Sequence, residues 1–130
     1  MRARSYSMNC WIGSREMETY PYTAYNGGFR TFVRDNELAA AGPARLWVFV
    51  DEHEATIDDA WFLVTMDDSR PFASAPATRH AQTYDLAFAD SHVEACKLRD
   101  PETLRLGIDP IQFSPKNLDW LHLKDVTTIR

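Results

Sequence analysis

The sequence predicts an α+β fold that is mainly β: a small antiparallel sheet with long loops and a short carboxy-terminal helix. Three observations lead there. Arg45 to Asp51 is rich in β-branched and aromatic residues and follows a Gly-Pro break. Tyr84 to Leu98 reads as two extended runs around a polar turn at Asp90-Ser91. Ser114-Pro115 offers a serine cap and a first-turn proline for a helix running from Pro115 to about Leu123.

Taken in order, Met1 to Gly28 reads as loop, punctuated by Tyr20-Pro21-Tyr22 and Asn26-Gly27-Gly28. Phe29 to Val33 is a candidate short strand, and Ala41-Gly42-Pro43 closes the segment after it. The Arg45–Asp51 strand comes next. Trp61 to Thr65 is nearly continuous in apolar residues, which predicts a strand buried on both faces or central in its sheet. Asp67 to Pro71 and Ala75-Pro76-Ala77 form a connection to the hairpin. There are no internal repeats, and 130 residues make a single domain spanning 1–130.

The bulk chemistry excludes some functions. A net charge of −5 is the wrong sign for a phosphate-binding footprint, so no nucleic-acid partner is expected. No apolar run approaches the roughly 20 residues of a membrane helix, and residues 1–30 hold no signal-peptide core, so no membrane contact is expected of this stretch itself. Cys10 and Cys96 could pair in an exported protein, or be two small buried thiols.

The residues able to build a site are His53, His80 and His92 with Asp51, Glu52, Asp58, Asp59, Asp90 and Glu94. Imidazole and carboxylate are the ligands of Zn, Mn or Fe centres, so His53, His80 and His92 form a candidate transition-metal set with hydrolase-like potential. His92 and Glu94 are two apart on a strand and leave the same face. The competing reading is structural and outweighs it: His80 and the Asp90 turn hydrogen-bond locally and tie the hairpin to its neighbour. Asp51, Glu52, Asp58 and Asp59 frame an oxygen-rich loop of a kind that suits calcium, although a plain solvated acidic loop is the stronger expectation. Nucleophilic catalysis has little support: there is no Gly-x-Ser-x-Gly elbow, and Ser91-His92 point to opposite faces of a strand.

Several of these pieces also form an ordered set. His80, nine residues, then Asp90-Ser91 followed by His92-Val93-Glu94 resembles the signature of the prepilin-type H-X9-DG proteins, pilin-like and pseudopilin-like chains of planctomycete-type bacteria. Ser91 stands at the family's glycine; a type I turn would accommodate serine there. Arg4 to Asn9 with Trp11 and Gly13 is similar to the family's amino-terminal motif, and Val48 to Glu52 to its acidic-ended strand. Ile57 to Ala60 stands where the family shows Ile-Asn-Asp-Gly, and Asp119-Trp120-Leu121 with Thr127-Thr128 is similar to its closing motif. The resemblance implies a pseudopilin-like globular head and a structural role in a pilin-like or type II secretion assembly, not turnover. Its partners would be other pilin-like or secretion-apparatus subunits, on the periplasmic or cell-surface side of the inner membrane. Such subunits carry an amino-terminal leader and apolar helix, so the chain is expected to be the globular part of a longer precursor. Some pseudopilins bind calcium in a carboxy-terminal loop, which makes calcium the cofactor to consider, with none firmly expected.

Overall fold

The computed structural model describes residues 5–70, 72–104 and 113–130, so Arg4 of the amino-terminal motif and Pro71 of the connection lie outside the described residues. Its sheet is built from β1 (Tyr6–Asn9), β2 (Trp47–Asp51), β3 (Trp61–Phe62), β4 (Thr83–Phe88) and β5 (Val93–Lys97). Their spatial order is β3-β1-β2-β4-β5, antiparallel throughout except for the short parallel pair β1–β3. Two helices, α1 (Asp35–Ala41) and α2 (Leu118–Asp125), complete an α+β, mainly β architecture.

The β4–β5 hairpin and β2 lie where the residue patterns placed them, because both alternate or run apolar over strand length. β4 shows the alternation most clearly, with Tyr84, Leu86 and Phe88 buried and Asp85 exposed. Four local expectations need correction. The loop-like start contains β1, whose Ser7 and Asn9 face inward although both are polar. Phe29 to Val33 is not a strand; Phe32 makes a single parallel bridge to Ile12. Trp61 to Thr65 is neither central nor a full strand. Its first two residues form the edge strand β3, while Phe62, Val64 and Thr65 are buried by packing.

The fourth correction concerns helices. α1 was not legible from apolar spacing, since no residue of it is fully buried. Its start is held by Glu37, whose carboxylate accepts the N–H groups of Val33 (2.6 Å) and Arg34 (3.1 Å) and pairs with Arg15. Those contacts, the Val33 N–H foremost, pull the Glu37 carboxyl down to about 2. The helix stops at Gly42, whose φ of +81° is the left-handed conformation that favours glycine there. α2 begins later than Ser114-Pro115 suggests. Ser114 instead accepts Asn117 N–H into a preceding turn, and Asn117 is the cap, its side chain accepting from Asp119 (3.0 Å) and Trp120 (3.1 Å). Asparagine caps as well as serine does, so the closer competitor wins.

One face of the sheet carries the core. Trp11, Trp47, Phe62, Tyr84 and Leu86 pack with Phe72, Trp120 and Leu123, and Trp120 stacks on Phe72. Both cysteines are free. Cys10 is buried, which pushes its thiol up to about 12.

The residues that carry the family resemblance are largely fasteners of this core. Asn9 donates to the carbonyls of Trp47 (2.9 Å) and Thr127 (3.1 Å) and accepts Trp11 N–H (3.0 Å). Trp11 donates its indole N–H to Val64 carbonyl (2.9 Å), and Trp47 donates to the Thr127 hydroxyl (2.8 Å). Glu52 is fully buried and accepts the hydroxyls of Ser7 and Thr56. Asp119 accepts Arg99 N–H (2.9 Å), Asp100 N–H (2.9 Å) and the Thr103 hydroxyl. Buried polar groups satisfied in this way specify one arrangement of the elements they join.

Candidate functional site

The hairpin places its two marked ends far apart. His80 precedes β4 and His92 precedes β5. Because the strands run antiparallel from Thr83↔Lys97 to Ala87↔Val93, the two histidines stand beyond opposite ends of a ladder roughly 14 Å long. A shared zinc ion would need both imidazoles about 2.0–2.1 Å away. The geometry rules out that joint site in this conformation, and His53 uses its Nδ1 locally, accepting Ala55 N–H at 3.0 Å.

At the first end, His80 Nε2 lies 3.2 Å from Asp51 on β2, and Arg79 pairs with the same carboxylate. The turn that follows is unusual: Ala81 and Gln82 both have positive φ (51° and 63°), and Thr83 donates its N–H back to His80 carbonyl at 2.9 Å. Two left-handed central residues are the signature of a type I′ hairpin turn, normally Asn-Gly. His80 itself is 62% exposed at the side chain, and a polar contact made by so exposed a group contributes about 0–1 kcal/mol. His80→Ala is therefore expected to change the denaturant midpoint only slightly; a loss of several kcal/mol would show that His80 does more than this contact.

At the second end, Asp90 accepts the backbone N–H of His92 (3.1 Å) and contacts its Nδ1, while His92 Nε2 lies 3.2 Å from Glu94. The imidazole stacks flat on Phe88, 4.4 Å between centroids. Asp90 foremost, then Glu94, raise the His92 pKa above the usual 6.5, and the His92 N–H foremost lowers that of Asp90 below 3.8. The signs follow directly. Protonated His92 favours the folded tip below 6.5, and this is lost as pH rises through its raised value. Ionised Asp90 favours it above 3.8, and this is lost as pH falls through its lowered value. The His92 ring is expected to titrate above 6.5 by proton NMR and to move down in Asp90→Asn. A midpoint at or below 6.5 in the parent chain would contradict this.

Ser91 does not adopt an ordinary type I position. Its φ is +79°, with Ser91 N–H donated to Phe88 carbonyl (3.0 Å) and Phe88 N–H to His92 carbonyl (2.9 Å). That is a three-residue hairpin loop whose last residue is left-handed, the place glycine fills most easily. Ser91→Gly is expected to stabilise by about 0.5–1 kcal/mol, relief of strain outweighing the extra freedom of the unfolded chain. A destabilised variant would mean the serine hydroxyl contributes something the backbone does not reveal.

The acidic loop is not a ring of free oxygens. Asp51 is engaged by Arg79 and His80, and Glu52 is sealed in the interior. Asp58 and Asp59 turn back to accept the N–H groups of Asp59 and Trp61, both at 2.8 Å. Among the described residues no group of three or more His, Cys, Asp or Glu side chains is arranged to hold a metal ion.

Two features were missed by reading the sequence. Cys96 Sγ lies 3.7 Å from His122 Nε2 on α2, in a cavity of about 440 Å³ that also borders Tyr84 and Asp119. Burial first, then Glu94, pushes the Cys96 thiol up to about 11, so it is held as a thiol and not as the nucleophilic thiolate. No sequence signal links residues 96 and 122. The second feature is the outer face of the sheet. Cross-strand partners Met8, Phe49, Ala87 and Val93 line up over four strands, with Tyr6 beside them on β1. Tyr6 packs edge-on against Phe49, 6.1 Å between centroids, yet Tyr6, Phe49 and Val93 are 58%, 43% and 64% exposed. A depression of about 320 Å³ runs along this row to the Asp51–His80 pair.

No protein-family model matches the chain, and no match is found among curated proteins or solved structures. Among the described residues no helix is long and apolar enough to cross a membrane.

Proposed function

We propose that this chain acts by protein–protein contact, as the globular part of a pilin-like or type II secretion pseudopilin-like subunit, using the outer face of its sheet as the contact surface. One observation carries the reading: in an aromatic and aliphatic row across the outer face, Phe49 on β2 and Val93 on β5 stay largely exposed, while the Met8 end of the row packs against Ile12, Phe32 and Leu46. Tyr and Phe in such a row give large contact area for little ordering cost. The polar side chains of Asp51, Arg79 and His80 at one end supply a rim. The motif residues support the same reading, since Asn9, Trp11, Glu52, Asp119 and Thr127 are spent on the interior. On this proposal the role is binding without turnover, the partners are other pilin-like or secretion-apparatus subunits, and the working side is periplasmic or at the cell surface.

The test is a photo-crosslinking residue at Phe49 in the producing cell, with Asp125 as an exposed control position. Adducts at position 49 with pilin-like or secretion-apparatus subunits are expected, identified by mass spectrometry and lost when Val93 is changed to Asp. Equal crosslinking at both positions, or adducts at 49 confined to unrelated proteins, would overturn the proposal.

A further inference from the structure

The outer edge of the sheet is a second surface, and its hydrogen-bonding parity can be read from the ladder. Phe88 N–H donates to His92 carbonyl at 2.9 Å, and Leu98 N–H donates to Gln82 carbonyl at 2.8 Å. In an antiparallel ladder the hydrogen-bonded positions alternate. Residues 92, 94, 96 and 98 therefore turn their backbone groups toward β4, and Val93, Ala95 and Lys97 turn theirs outward. β5 ends the sheet, and among the described residues no partner takes these outward N–H and carbonyl groups. The strand has no proline and no bulge, and four of its five residues are exposed.

We infer that β5 pairs with β5 of a second copy of this chain, antiparallel about a two-fold axis through Ala95. This register pairs Ala95 with its own symmetry mate and Val93 with the partner's Lys97, so all outward backbone groups on both strands become bonded. It also fits the side chains. Alanine sits at the axis, where a large residue would meet itself. Glu94 falls opposite the partner's Cys96, and Lys97 opposite the partner's Val93, so no like charges face one another across the joint. A two-fold arrangement closes on itself and satisfies both edges at once. Its core-side and outer faces stay continuous with those of each copy, so the edge contact and the proposed outer-face contact are separate surfaces.

Five residues a side make a small joint, so the dimer is expected at high chain concentration. Sedimentation equilibrium at millimolar chain should show it, and Ala95→Lys, which places two ammonium groups at the axis, should abolish it with the thermal midpoint unchanged. Because a surface lysine could act indirectly, a second variant tests the register. Hydrogen-bonded antiparallel partners have Cα atoms about 5.5 Å apart, within the roughly 4.4–6.8 Å a disulfide spans. In a Cys96→Ser background, Ala95→Cys should oxidise to a disulfide-linked dimer, whereas Asp85→Cys, exposed one strand inward, should not. Monomer at millimolar concentration, or equal crosslinking at 85 and 95, would overturn the inference. Phe49→Asp should leave the edge dimer intact, so failure of the outer-face proposal would be visible separately.

Discussion

Asn9→Ala is expected to destabilise the protein by about 3–5 kcal/mol. The side chain is fully buried and holds three backbone groups at once: the carbonyls of Trp47 and Thr127 and the N–H of Trp11. Truncation leaves two acceptors and one donor in a site closed to solvent, and an orphaned buried group costs about 1–3 kcal/mol. A small cavity beneath Trp47 adds to that. The three contacts join β1, β2 and the carboxy-terminal segment, so the loss spreads across the sheet instead of staying local. Asn9→Asp is expected to be at least as harmful, because a carboxylate cannot donate to two carbonyls. Urea unfolding of the three chains checks the ordering. A loss under about 1 kcal/mol for Asn9→Ala would show that the site relaxes or admits water.

Asp119→Ala is expected to cost a similar amount, about 3–5 kcal/mol. Its carboxylate, 3% exposed, collects the N–H groups of Arg99 and Asp100 and the hydroxyl of Thr103, and so fixes α2 to the chain leaving β5. Hydrogen bonds to a charged group contribute about 1.5–3 kcal/mol each, offset in part by burying that charge. The joint is reciprocal, since Asp100 accepts Leu118 N–H at the first turn of α2 (2.9 Å). Asp119→Asn should fall between the parent and the alanine variant. It keeps one acceptor oxygen while its amide faces donors. Thermal and denaturant midpoints in the order parent, Asn, Ala are the expected result; equal stability of all three would remove Asp119 from the list of fasteners.

These two residues show where reading the chain succeeded and stopped. Asn9 and Asp119 stand among the residues on which the family resemblance rests, but nothing local says what they bind. Their partners lie up to 118 positions away, and a hydrogen bond across that distance leaves no periodicity in the sequence. The same holds for Cys96 and His122. The acidic stretch 51–59 looked like one chemical unit, yet Glu52 points inward to Ser7 and Thr56 while Asp51 faces Arg79 and His80. Alternate residues of a strand serve opposite faces, so acidic composition is a poor guide to a site there.

The sequence by itself determined the elements whose signal is local. Strand β2, the β4–β5 hairpin with its turn at Asp90-Ser91, and a carboxy-terminal helix all follow from alternation, turn chemistry and capping within a few residues. It also placed His92 and Glu94 on one face, because two-residue spacing on an extended chain repeats the same face, while the contact of Asp90 with His92 was set by the turn. Only the tertiary structure decided the rest. It put Trp61-Phe62 at a sheet edge, drew a strand out of the polar start at Tyr6, separated His80 from His92 by a strand's length, and left Phe49 and Val93 exposed on the outer face. Which strand neighbours which is set by how the apolar faces close over one core. That choice depends on residues far apart in the chain, and it leaves no mark on the local pattern of any one of them.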